Sequence, residues 1–153
     1  MSLLRGGLYP DPRQVSGPLT HLNLARGFRG GERQTELLIR GLAAAGWRQR
    51  LVARRGEPLA ARCRDVPGLQ VVEAGGGVVG ALGALGGAGL VHSHEGRGVQ
   101  AAWLNRLLRG IPYVVTRRVL KVPAGWLNRR IYGGAAAVVA ISVTSISMGL
   151  LAG

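Results

Sequence analysis

A chain of 153 residues is long enough for one core of ordinary size, but too short for a complete TIM barrel, at roughly 200 residues or more, or for two full-size domains. Hydrophobic residues make up 47% and charged residues 18%, which excludes bulk disorder, and 26 glycines foretell tight loops and close backbone approaches. The net charge is +13 and Lys121 is the only lysine, so the rest of the 20 basic residues are arginine, whose planar fork suits an anionic partner: a nucleotide, a phosphorylated glycolipid, a membrane surface or nucleic acid.

Residues 1–17, rich in Gly, Pro and Arg, read as a flexible leader without the apolar run of a signal peptide. Leu19–Ala25 reads as a first strand, followed by a basic, glycine-bearing loop from Arg26 to Gly31. A helix is predicted over Glu32–Ala45, with Leu38, Leu42 and Ala45 on one face and Leu37 and Gly41 beside it. Glu32 in its first turn suits the helix dipole, Glu36 and Arg40 make an i,i+4 pair, and Gly46 is a terminator. A second strand at Arg50–Ala53 leads to a brief helix at Leu59–Arg64, closed by Pro67 and Gly68. A third strand at Leu69–Glu73 precedes a small apolar helix at Val78–Leu85, and a fourth strand follows at Gly89–Ser93. Arg97–Arg109 is an amphipathic helix with Val99, Ala102, Trp103 and Leu107 on one face, stopped by Gly110. A fifth strand at Ile111–Thr116, a helix at Ala124–Tyr132 and a sixth strand at Ala136–Ile141 complete the pattern, with Ser142 capping a last short helix.

Strands alternate with helices, and the strands are apolar runs rather than alternating patterns. That is the mark of a parallel sheet covered on both faces. The expectation is an α/β, Rossmann-like, doubly wound parallel sheet of about six strands, forming one domain over residues 18–153. Two uncharged stretches have the length of a membrane span. Ala74–Val91 contains eight glycines, and Gly133–Gly153 is interrupted by Ser142, Thr144, Ser145 and Ser147, so both are read as strand and helix instead. Cys63 is alone, which excludes an internal disulfide and a cysteine zinc cluster and fits a reducing, cytoplasmic compartment.

Open parallel sheets bind ligands outside the carboxyl ends of their strands, at the switch point of strand order. Strand one ends on Arg26, Arg29, Gly30 and Gly31; strand four ends on His94, Glu95 and Arg97; strand five ends on Thr116, Arg117 and Arg118. In a doubly wound order strands one and four are neighbours, so their loops face one crevice. Gly30-Gly31 lets backbone approach an anion ahead of a helix N-terminus, or is an ordinary tight turn. His94 and Glu95 offer a titratable pair, or a loop histidine and a helix cap. Arg117-Arg118 clamps a phosphate or carboxylate, or is solvated. His21 and His92 read as satisfied core residues. A metal pair of His92 and His94 is not expected, on the view that the two leave opposite faces and that no third ligand stands nearby. Arg48, Arg50, Arg54 and Arg55 read as surface charge. Gly75-x-Gly77-x-x-Gly80 matches the dinucleotide fingerprint, but after the third strand and in a stretch so rich in glycine that chance explains it. A Walker loop and a Gly-x-Ser-x-Gly elbow are missing from the sequence, and nucleic-acid binding rests on charge alone.

Three motifs in order carry a resemblance. "HLNLARGFRGGERQTELLIRGLAAAGW", "LVHSHEGRGVQAAWLNRLLRGIPYVVTRR" and "IYGGAAAVVAIS" resemble the N-terminal domain of family 4 (group 1) GT-B glycosyltransferases, over about Leu19–Ser142. The resemblance implies a retaining, metal-independent transferase moving a sugar from a nucleotide-sugar co-substrate, with no cofactor, to a lipopolysaccharide or other cell-envelope glycan or glycolipid acceptor. It implies that Arg29, Gly30, Gly31 and Glu32 face the donor diphosphate and that His94 and Glu95 stand at the reacting centre. It also implies that Arg97, Thr116, Arg117 and Arg118 meet an acceptor or anion. In that family a C-terminal domain holds most of the nucleotide-sugar site and a pair of glutamates eight apart. The expectation is therefore an acceptor-side domain without its C-terminal partner, inactive alone, cytoplasmic and peripheral on the inner membrane face. The alternative is a non-enzymatic module binding a nucleotide or phosphoglycolipid.

Overall fold

The computed structural model of the protein describes residues 16–117 and 124–140. The elements in chain order are β1 (Leu19–Asn23), α1 (Gly30–Ala44), β2 (Gln49–Arg54), α2 (Pro58–Cys63), β3 (Leu69–Ala74), α3 (Val78–Ala84), β4 (Leu90–Ser93), α4 (Gly96–Arg109), β5 (Tyr113–Arg117), α5 (Trp126–Gly133) and β6 (Ala137–Ala140). The strands form one sheet in the order β3-β2-β1-β4-β5-β6, with every pairing parallel. This is the doubly wound, Rossmann-like arrangement, and its switch point lies between β1 and β4. Leu19, Thr20, His21 and Leu22 pair in register with Leu90, Val91, His92 and Ser93.

Each face of the sheet has its own apolar cluster. Leu22, Val52, Val91, Tyr113 and Val115 pack under α3, α4 and α5, with Ala81, Val99, Ala102 and Ile131 contributed by the helices. On the other face Leu51 and Ala53 pack with Ile39 of α1 and with Leu59, Ala60 and Cys63 of α2. Burial of these side chains supplies the main drive to fold, at about 25 cal/mol per Å² of apolar surface. Alternating strand residues divide between the two faces, so β1 presents Leu22 to the α4 side and His21 and Asn23 to the α1 side.

Two expected helix faces are corrected in part: Leu42 of α1 and Val99, Ala102 and Trp103 of α4 pack inward as expected, and Leu37, Ala45 and Leu107 do not. The buried residues of α1 are Glu32, Thr35, Glu36 and Ile39, while Leu37 is 59% exposed and Ala45 is exposed. The reason is the surface beneath: the strand residues on this side include His21, Asn23 and His92, and the Asn23 amide donates to Thr35 Oγ1 at 3.1 Å. A polar strip selects a polar helix face. In α4 the buried residues are Val99, Ala101, Ala102 and Asn105, while Leu107 and Leu108 stand out to solvent.

The termini of α4 follow from sequence chemistry. Glu95 caps the start, accepting from the backbone N–H groups of Arg97 at 2.8 Å and Gly98 at 2.6 Å. Gly110 ends it at φ 71°, a left-handed conformation that favours glycine. Residues 74–91 divide into the end of β3, all of α3 and the start of β4, and 133–140 into the end of α5, a turn and β6. Among the described residues no helix is long and apolar enough to cross a membrane. Most of the leader (1–15), Arg118, Ile141 and the helix expected after Ser142 lie outside the described residues.

Candidate functional site at the β1, β2 and β4 ends

The switch point opens into a cleft of about 310 Å³ lined by Leu24, Ala25, Arg26, Arg54, Glu95 and Arg97. The β1–α1 loop that forms one rim is pinned from outside the sheet. Gly27, at φ 76°, donates its backbone N–H to Glu57 Oε2 at 2.7 Å, and the Arg62 guanidinium lies 4.3 Å from the Phe28 ring centroid. Glu95 ties the β1 end to the β4 end, because Oε1 accepts from both Leu24 N, at 3.4 Å, and Gly98 N.

The charge of the cleft is one-sided. Arg26, Arg54 and Arg97 bring three guanidinium groups, and among the described residues Glu95 is the one carboxylate of the lining, already committed to backbone donors. Arg54 Nη1 is buried without a hydrogen-bond partner among the described residues. A buried donor left unsatisfied is costly. The guanidinium lies against the backbone of Gly76, where a Cβ would collide with it. The reading of Arg54 as surface charge is thus corrected: the parallel order sets the end of β2 beside the end of β1, and Arg54 enters the same crevice. Arg48 and Arg55 are exposed and Arg50 bonds Gln70 and the Gly86 carbonyl, so these three are surface residues.

The other expected site residues are distributed unevenly. Arg97 and Glu95 line the cleft. Gly30 and Gly31 form the first turn of α1, and nothing lies within 4 Å of a Cβ built on Gly30, which leaves open space at that turn. Arg29 is the exposed residue before α1, and the buried Glu32 carboxylate turns back to accept from Arg29 N at 2.8 Å. Thr116 is buried, with Oγ1 at 2.6 Å from His92 Nε2. Arg117 is half-buried over the Tyr132 ring at 5.4 Å.

His94 is 3% exposed and turns away from the cleft wall into a cluster with His21 and His92. The expectation that His92 and His94 leave opposite faces is incorrect. They are two residues apart, so they share a face, and their ring centroids are 4.0 Å apart. His21 stands in register with His92 on the neighbouring strand and supplies the third ring. Burial pushes the His21 pKa down to about 4, against a smaller opposing effect of its bond to Gln49, so the ring is neutral at pH 7.

A family model described as "Glycosyl transferase 4-like domain" matches residues 29–145. No curated protein matches the chain at a significant level. Among solved structures, Anabaena Alr3699/HepE in complex with UDP superposes with a TM-score of 0.65 at 12% identity, covering 88% of this chain and 40% of that one. The same protein in complex with UDP and glucose gives a TM-score of 0.66 at 13% identity, over 88% of this chain and 41% of that one. The chain thus spans about two fifths of the length of these solved structures.

Proposed function

The chain belongs to the glycosyl transferase 4-like domain family, and from that premise we propose that it is the N-terminal, acceptor-side lobe of a GT-B sugar transferase. The donor in this reading is a nucleotide sugar, used as co-substrate without a further cofactor, and the transfer is retaining and draws no step from a metal. The acceptor is an anionic cell-envelope glycan or glycolipid. The binding of UDP and glucose by HepE supports the donor class, and the net charge of +13 supports the anionic acceptor. We also place the protein in the cytoplasm, with its positive surface resting on an anionic membrane face.

The observation that carries the reading is the trio of Arg26, Arg54 and Arg97 around one cleft at the switch point. Two or three guanidinium groups converging on one volume bind a phosphate or carboxylate through charge-assisted, partly bidentate bonds. In this reading they hold the anionic group of the acceptor. The open first turn of α1, at Gly30 and Gly31, faces the donor diphosphate. Glu95 fixes the β4–α4 turn and thereby aims Arg97. His94, buried behind that turn, orients it from the α1 side of the sheet, and the Arg117-Arg118 pair is assigned to the anionic acceptor. A second lobe closes the cleft and excludes water, which makes every one of these electrostatic contacts stronger.

The test is a sugar-transfer assay on the chain joined to a nucleotide-sugar lobe, with a phosphorylated glycan as acceptor. Transfer that falls at least tenfold with Arg54→Ala or Arg97→Ala bears the proposal out. Salt-sensitive binding of the phosphorylated glycan with no transfer would instead favour an anion-binding module without catalysis.

A further inference from the structure

The protein has three histidines in all, and all three meet at one point on the α1 side of the sheet. His21 comes from β1, His92 from β4 and His94 from the turn after it, with ring centroids 5.8, 5.4 and 4.0 Å apart. One ring nitrogen of each lies within 4.8 Å of those of the other two. Their exposures are 0%, 2% and 3%. His92 and His94 are neighbours on one strand end, and the parallel pairing of β1 with β4 brings His21, about 70 residues away, against both.

We infer that His21, His92 and His94 form a binding site for a first-row divalent transition metal ion, zinc by preference, that clamps β1 to β4. Three imidazoles with an open fourth position are a known zinc donor set, and a tetrahedral ion at ~2.0–2.1 Å from each nitrogen spaces the nitrogens about 3.3 Å apart. His21 Nδ1 and His94 Nε2 are already 3.1 Å apart. An all-nitrogen set selects zinc, nickel or copper over calcium and magnesium, which prefer oxygen.

The surroundings supply the outer contacts that orient such ligands. Gln49 Nε2 donates to the Ile39 carbonyl at 3.0 Å, which fixes the amide so that Oε1 accepts from His21 Nε2–H at 2.8 Å. That leaves the lone pair of His21 on Nδ1, facing the cluster. Thr116 Oγ1 lies 2.6 Å from His92 Nε2 and fixes the orientation of that ring. A hydrogen bond from the far nitrogen of a metal-bound histidine to a fixed oxygen is the usual second layer of a zinc site. The hydrogen between His94 Nε2 and His21 Nδ1 belongs to His94, because His21 carries its own on Nε2. On metal entry it passes to Nδ1 of the same ring, which stays neutral. Burial already keeps His21 in the neutral, ligating form.

The absence of other histidines makes the experiment clean. The untagged full chain, stripped with a chelator, is titrated with Co2+ and followed by visible absorption. The expected result is the intense band set of tetrahedral Co2+ at one equivalent, displaced by one equivalent of Zn2+. His92→Phe abolishes the bands, and Gln49→Leu, which leaves all three rings in place, weakens binding about tenfold. If His92→Phe does not fold, the wild-type spectrum and Gln49→Leu decide. Only the pale spectrum of octahedral Co2+ in the wild type, or bands of equal strength in a folded His92→Phe, overturns the inference.

Discussion

The Arg54 guanidinium occupies the space that a side chain at Gly76 would fill. The β3–α3 loop, which carries three successive glycines, is thereby fitted to a residue of β2 at the rim of the cleft. Gly76→Ala therefore acts through Arg54. It is expected to weaken binding of a phosphorylated glycan in the same direction as Arg54→Ala while touching no ligand itself. Calorimetric titration of the two variants checks this, and wild-type affinity in Gly76→Ala would show that Arg54 does not hold the anion. A hydrogen bond to a charged group contributes about 1.5–3 kcal/mol, so Arg54→Ala should lose roughly 10- to 100-fold in affinity.

Gly98 sits where α4 meets β1 and β4. A Cβ there would lie 2.7 Å from Ser93 Oγ, 3.0 Å from Glu95 Oε1 and 3.2 Å from Leu22 Cγ. Glu95 cannot yield without giving up its bonds to Arg97 N and Gly98 N. Gly98→Ala is expected to destabilise the fold by about 1–3 kcal/mol, as overpacking does, despite the better helix propensity of alanine. A urea titration measures it, and an unchanged midpoint would refute the close packing of this turn.

Acid stability has a defined source. Burial alone would raise the Glu36 carboxyl, but hydrogen bonds and charge from Arg62, at 2.9 Å, and Arg40, at 3.1 Å, hold it below its usual value. A carboxylate lowered in the folded state stabilises the fold above the unfolded value of about 4.5, and this contribution is lost as pH falls through the lower folded value. Wild type should thus lose more stability than Glu36→Gln between neutral pH and pH values below about 4.5. Urea midpoints across that range test the sign, and parallel curves for the two proteins would contradict it.

Cys63 is fully buried between α2 and β2, and burial pushes its thiol up to about 11. Only the thiolate is nucleophilic, so the native protein should react with a disulfide reagent far more slowly than the urea-unfolded chain at mildly alkaline pH. Equal rates would mean that the α2 packing opens readily.

The strand order and the location of the cleft were legible in the sequence because apolar runs, glycine stops and the strand-end rule are local or topological signals. The inward face of α1 was not. A helix over a polar strip buries Thr35 and Glu36 and exposes Leu37, against the apolar-face rule. Arg54 was missed for a related reason: its role depends on β2 lying beside β1, with Gly76 yielding space from a third strand's loop. The meeting of His21 with His92 and His94 is a register effect between distant strands, although the shared face of His92 and His94 follows from their spacing alone.

The most direct test of the central claim is calorimetric titration of the full chain with a phosphorylated hexose at two ionic strengths, alongside Arg54→Ala. The account predicts one site per chain, affinity that falls with salt, and at least tenfold weaker binding in the variant. Binding that is equal in wild type and Arg54→Ala, or no saturable binding at low salt, would contradict it.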